Sequence, residues 1–448
     1  MGPDQHAQLD GFGLTLPFPI RVAALLALGW WGWGLNVQYL QKAHINIAKL
    51  IGYPDTRAPG QLSIHSATYR LSTYFTIPIV IWLIVFWVAT RRIYDLVERL
   101  DWIPQSLWVV LLIILIWPLN RASRHGRIQF LLSFKRVLIG GLASDERKFG
   151  DILLADAMTS YARVFGDVYV TFCMFFTGDI SATSKPIRSC GKPIVVPIII
   201  AVPYAIRLRQ CLTEYIRAQR ASSQPGAGNQ HLANALKYVS AFPVIYLAAK
   251  LRNYNPLDFN GYSEMSMMRI LFLCSAVNSA YSFWWDVVKD WDLTLFSDAR
   301  IDPSGRYAYG LRENLLLGPP RLYHYVIIAD LVLRFSWAWR ILPGLSWLSE
   351  KESGLYILMF LEVARRWMWV FLRVEAEHPS PNGTNPTANQ SIERTLFFPI
   401  GVLFLNPGTP HHYIWNEYET QNINFSAHYE HRFALILFGY HTPLSIAA

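Results

Sequence analysis

The chain has 448 residues, of which 52% are hydrophobic and 16% charged, with a mean hydropathy of +0.22. A soluble protein of this length carries roughly a quarter charged residues, so the composition argues against an ordinary cytosolic enzyme. The 40 Lys and Arg exceed the 31 Asp and Glu to give a net charge of +9, and in so apolar a chain that points to cytosolic loops of a membrane protein and away from nucleic acid.

The first ten residues, MGPDQHAQLD, have no basic stretch of the kind that opens a signal peptide, so the first apolar segment reads as a retained span. A spanning helix needs about 20 mostly apolar residues. Segments of that kind are predicted at 20–40, 73–90, 103–119, 165–180, 193–206, 236–250, 268–288, 323–343 and 354–373. The expected fold is therefore all-α, a polytopic transmembrane helical bundle of about nine spans, with eight to ten allowed. Between the third and fourth spans, residues 124–140 are basic and amphipathic, which suits a helix lying on the cytosolic face. Apolar stretches near 396–406 and 433–446 are too short to span and read as interfacial or packed segments. The segment HPSPNGTNPTANQS reads as a linker. Cys173, Cys190, Cys211 and Cys274 form no CxxC, and their spacing indicates neither a disulfide framework nor a zinc site.

Nine spans put the termini on opposite sides. With the N-terminus outside, the cytosolic loops hold 24 Lys and Arg and the exoplasmic segments 10. The positive-inside rule then favours an exoplasmic N-terminus and a cytosolic tail. The sequons at Asn382, Asn389 and Asn424 fall in that tail, where glycosylation does not occur, and read as chance matches.

The remaining charge lies within or beside the spans. Asp156, Ser160, Arg163 and Asp167 recur on one helix face; Asp286 and Asp290 are i, i+4; Arg334 and Trp337 are i, i+3; Glu362, Arg365 and Arg366 share one turn. Arg207 and Lys237, the latter with Asn234 and Tyr238, complete the set. Insertion scales assign about 2.5–3.5 kcal/mol to each such group at a helix centre, so ten facing lipid would cost on the order of 25–35 kcal/mol. They must face one another or water. A web of interhelical salt bridges is one reading. A polar cavity is the other, because five cations exceed what Asp156 and Asp286 can neutralise, and guanidinium forks bind tetrahedral oxyanions such as phosphate or sulfate. Trp337, one turn from Arg334, reads either as a packing residue, as most of the 17 tryptophans do, or as a bulky gate.

At these residues the sequence resembles the EXS membrane domain of the SPX-EXS phosphate exporters. The matching stretches are FGDILLADAMTSYARVFGD (149–167), IRLRQCLTEYIRAQR (206–220), HLANALKYVSA (231–241), NSAYSFWWDVVKDWDL (278–293), LRFSWAW (333–339) and EVARRWMWVFLRVEAEH (362–378). Ile206 stands where the family usually has Trp, and Arg209 where an apolar residue is usual. The short form without an SPX domain is similar to the fungal ER-retention-defective proteins. The resemblance implies an anion path through Asp156, Arg207, Lys237, Asp286, Asp290, Arg334, Trp337, Glu362, Arg365 and Arg366. It also implies transport of inorganic phosphate from the Golgi lumen to the cytosol, supporting glycosylation and retention of resident proteins.

The expected organisation is an exoplasmic tail (1–19), N-terminal helices with the basic cytosolic segment (20–145), an EXS-type core (146–380) and a cytosolic tail (381–448). No cofactor, catalytic residue or metal is expected. Phosphate, membrane lipid, Golgi coat adaptors, glycosyltransferases and a second copy of the chain are the expected partners. The alternative is a sorting scaffold that retains glycosyltransferases through its tail, with aromatic residues 413–425 as contacts. Histidines at 411, 412, 428 and 431 lack the carboxylate spacing of a metal enzyme.

Overall fold

The computed structural model describes residues 11–53, 63–116, 124–140, 145–177, 183, 185–221, 226–254, 263–297, 308–341, 345 and 347–379. Among these the regular structure is helical throughout. The first part contains α1 (Gly11–Thr15), α2 (Phe18–Lys42), α3 (Ile47–Leu50), α4 (Ile64–Thr90), α5 (Tyr94–Arg99) and α6 (Trp102–Ile116). Next come α7 (Arg124–Ile139), α8 (Asp145–Ser160), α9 (Ala162–Thr177), α10 (Val195–Ala221), α11 (Asn229–Val239) and α12 (Ala241–Arg252). Then α13 (Glu264–Trp285) runs into a π-helical turn, Asp286–Asp290, followed by α14 (Pro320–Arg334), a 3-10 segment (Ser336–Ile341), α15 (Trp347–Glu350) and α16 (Glu352–Glu377).

The described part of each predicted span is mainly helical, and the chain is a multi-helix membrane bundle. By length and composition α2, α4, α10 and the run Asn229–Arg252 can cross a bilayer, and α6 is a shorter apolar helix. At 26 residues α16 is long enough, yet it carries Glu362, Arg365, Arg366 and Arg373, which apolarity alone penalises. The span predicted at 236–250 is divided at Ser240 into α11 and α12, and the one at 323–343 ends its α-helix at Arg334. The expected cytosolic helix is α7; its buried Arg127 donates to the Ile114 and Leu115 carbonyls, closing the C-terminal end of α6.

One core surrounds α2, with Phe18, Ile20, Leu25, Leu71, Phe75 and Leu107 buried together. A second joins Trp291, Leu311, Tyr323 and Trp369. Ile81, Ile84 and Val88 of α4 and Val109, Ile113 and Ile116 of α6 are exposed; in a membrane this is the face that lipid covers. The close approach of α2 to α16 depends on Gly32, where a Cβ would land on the Trp367 indole. Gly32→Ala is expected to destabilise the bundle by about 1–3 kcal/mol through overpacking, measured as a lower thermal midpoint of the detergent-solubilised protein.

Contrary to the expectation from spacing, Cys173 and Cys190 form a disulfide. Cys173 near the end of α9 and Cys190 have Cα atoms 6.1 Å apart, inside the bridgeable range; a separation of 17 residues carries no signature of that approach. For a loop of this size the chain-entropy account gives about 3 kcal/mol. Cys173→Ser/Cys190→Ser is therefore expected to lose that much stability, and reductant to lower the wild-type midpoint equally while leaving the variant's unchanged.

Candidate anion-binding site

The ionisable residues of the spans converge on one buried network built from six helices. On α8, Asp156 accepts from Arg207 Nε (2.6 Å) of α10 and from the Tyr238 hydroxyl (2.7 Å) of α11, and that hydroxyl itself accepts from Arg207 at 3.0 Å. Arg207 also donates to Gln210 Oε1 at 2.5 Å. One residue before Tyr238, Lys237 donates to Asp286 (2.8 Å) and Asp290 (3.1 Å). The π-helical turn makes the double contact: Trp291 N–H donates to the Asp286 carbonyl five residues back, and such widened turns recur at functional sites. Asp286, fully buried, also takes the Arg334 guanidinium of α14 and lies 3.8 Å from Arg365. Arg334 and Arg365 share Asp330 at 3.0 and 2.9 Å, and Arg365 grips Glu362 at 2.6 and 3.0 Å.

Nearly every cation in this network is held by a carboxylate. The exception among the described residues is Arg366, which is buried yet donates only to hydroxyls, Ser160 at 2.8 Å and Thr159 at 3.2 Å, with its guanidinium over the Trp369 ring at 4.6 Å. A guanidinium has five N–H donors; here hydroxyls take the direct contacts, while Asp156 and Glu362 act on its charge from a greater distance.

Nine of the ten residues expected on the path sit in or beside this network. Trp337, in the 3-10 segment after α14, donates to Ser279 at 3.0 Å and stacks on Phe272 at 5.9 Å. Ser279 in turn donates to the Arg334 carbonyl, so Trp337 is tied to the backbone that carries Arg334. Asp330 was missing from the sequence reading, although its i, i+4 spacing to Arg334 inside an apolar helix is a readable pairing signal. With Asp330, Asp290 and Glu362 included, five carboxylates face Arg207, Lys237, Arg334, Arg365 and Arg366. The expected large cationic excess is thereby corrected to balance, five against five, and Arg366 is the member whose direct partners are hydroxyls.

The face Asp156, Ser160, Arg163 and Asp167 is divided between two sites. Only Tyr161 interrupts α8 and α9, and its N–H is shared between the Ala157 and Met158 carbonyls. Eleven residues of helix span about 16 Å, however, and Asp167 pairs with Arg188 (3.2 Å), far from Asp156. Arg188 also holds Glu352 at 2.9 and 3.1 Å, and Glu352 holds Arg21 at 2.8 Å. Burial works against the charge of Arg188, but the Asp167 and Glu352 carboxylates outweigh it and raise its pKa above the ordinary value. This second cluster was not read from sequence, since its members are far apart in the chain. The unusual residues at 206 and 209 also find their reason: Ile206 packs with Val137, Ala155 and Met158, and Arg209 donates to the Val137 (2.6 Å) and Leu138 (3.3 Å) carbonyls, capping α7. The sequons, the histidines 411, 412, 428 and 431, and the tail from 381 lie outside the described residues.

Helices that bury a charge-paired network around a hydroxyl-held arginine, in a chain this apolar, define a polytopic membrane protein. The model of the EXS family matches residues 16–379, and the chain belongs to that family. It is 28% identical over 376 residues to Protein ERD1 homolog 1 of Schizosaccharomyces pombe, covering 82% of this chain and 92% of that protein. It is 24% identical over 381 residues to Protein ERD1 of Saccharomyces cerevisiae, covering 82% and 94%. To the phosphate transporter PHO1 of Arabidopsis thaliana it is 26% identical over 373 residues, spanning 82% of this chain but 43% of that protein.

Proposed function

We propose that the protein moves inorganic phosphate across the Golgi membrane from lumen to cytosol, with phosphate coordinated at Arg366 and the paired cations Arg365, Arg334, Lys237 and Arg207 along the route. The observation that carries this reading is the hydroxyl-held, buried guanidinium of Arg366 inside an otherwise compensated network. The substrate class is supported by the similarity to a phosphate transporter and the compartment by the resemblance to the short fungal proteins. Neighbouring carboxylates favour release, because an ion bound too tightly is not conducted.

An exoplasmic N-terminus accords with two observations. Arg21, Arg188 and Glu352, which meet in one cluster, all belong to segments that the positive-inside count assigns to that side. The Cys173–Cys190 disulfide closes the same side, where an oxidising lumen maintains such bonds. The test is phosphate uptake into proteoliposomes containing the purified full chain, with sulfate as competitor. Saturable uptake above that of empty liposomes is expected; uptake equal to empty liposomes, with correctly folded protein, overturns the reading.

A further inference from the structure

A cavity of about 890 Å³ lies between α2, α4, α6, α7 and α8, with α16 at its inner wall. That is near the top of the range for ligand pockets, about 300–1,000 Å³. Its wall is apolar and aromatic, including Phe75, Trp108, Leu111, Leu115, Phe130 and Phe134. Water does not fill an apolar cavity, and a void of this size would forfeit the packing contacts of its lining. The mouth has the opposite chemistry. Arg70, in the first two turns of α4, Arg124 and His125 at the start of α7, and Arg147 in the first turn of α8 are exposed there, with Arg136 and its partner Asp151 beside them. By the positive-inside count these residues lie toward the cytosol.

We propose that this cavity is a binding site for an anionic phospholipid, with an acyl chain against the aromatic wall and the headgroup phosphate on the arginines of the mouth. Charge complementarity selects this occupant. Four arginines against one aspartate at the mouth suit a phosphate, and the mainly apolar wall behind them suits an acyl chain, with Arg366 of α16 at the inner end. Basic pockets between transmembrane helices on the cytosolic side hold such headgroups. α7 is anchored to α6 through Arg127, so the arginines of the mouth can be altered without undoing that helix packing. The inference does not depend on phosphate transport, because binding is read without flux.

The experiment uses the purified full chain in mild detergent, with dioleoyl phosphatidylinositol 4-phosphate and dioleoyl phosphatidylcholine as probes and bound lipid counted by native mass spectrometry. One phosphoinositide per chain is expected at concentrations where phosphatidylcholine is not retained. Arg124→Gln/Arg147→Gln is expected to weaken retention about tenfold or more while the thermal midpoint holds. Ala157→Phe, which fills the apolar part of the cavity, is expected to abolish retention with the mouth intact. Equal retention of the two lipids, or undiminished retention in the double variant, overturns the proposal. Binding of inorganic phosphate that displaces the lipid at equal concentration would make this a free-anion vestibule and also overturn it.

Discussion

Arg366→Ala is expected to reduce phosphate uptake at subsaturating concentration by about 10- to 100-fold while leaving the fold intact. The magnitude follows from a hydrogen-bonded charged contact, about 1.5–3 kcal/mol, with each 1.36 kcal/mol a factor of ten. The fold survives because the hydrogen-bond partners of Arg366, Ser160 and Thr159, are hydroxyls that can turn to each other or to water, and Trp369 stays packed in its own cluster. Arg365 provides the contrast. Its removal strands Glu362 and leaves Asp330 to Arg334 alone, and breaking a buried pair such as Arg365–Asp330 costs about 3–5 kcal/mol. Arg365→Ala is therefore expected to fail in stability before its transport can be measured. Thermal unfolding alongside proteoliposome uptake separates the two; a folded Arg366→Ala with wild-type uptake would remove Arg366 from the path.

The second large effect is at Asp286, which bridges Lys237 and Arg334 with Arg365 close by. Asp286→Ala leaves these cations in low dielectric with one carboxylate fewer, and a loss of about 3–5 kcal/mol is expected. Lys237→Met in the same chain removes one of the stranded charges and restores apolar contact. The double variant is expected to be more stable than Asp286→Ala alone, since replacing a buried pair by apolar residues is often close to neutral. A double-mutant cycle on thermal midpoints in detergent measures this coupling. Additive losses at the two positions would mean that Lys237 draws its compensation from Asp290 and not from Asp286.

These expectations differ in kind because the network has two kinds of member. Arg207, Lys237, Arg334 and Arg365 hold helices together through carboxylates, and the same contacts keep their charges in the bilayer. Arg366 has no such structural duty among the described residues. That division makes a salt-bridge web and the proposed anion site compatible: the web fixes α8, α10, α11, α14 and α16 around the one guanidinium whose direct partners are hydroxyls.

Sequence alone determined the fold class, the location of the helices and most of the charged residues within them. Length and apolarity decide which segments can sit in lipid, and a charge placed there is conspicuous because its burial is so unfavourable. The resemblance to the EXS exporters followed from the same residues. Only tertiary structure decided who pairs with whom. Asp330 neutralises Arg334 from its own helix but Arg365 from another, and Arg188 finds Glu352 from 164 positions away. Likewise, the turn that lets Asp286 and Asp290 share Lys237 is π-helical, and the bridge between Cys173 and Cys190 depends on how the chain leaves α9. An electrostatic partner is selected by distance in space, over a few ångströms in low dielectric, and sequence separation fixes that distance only within a helix.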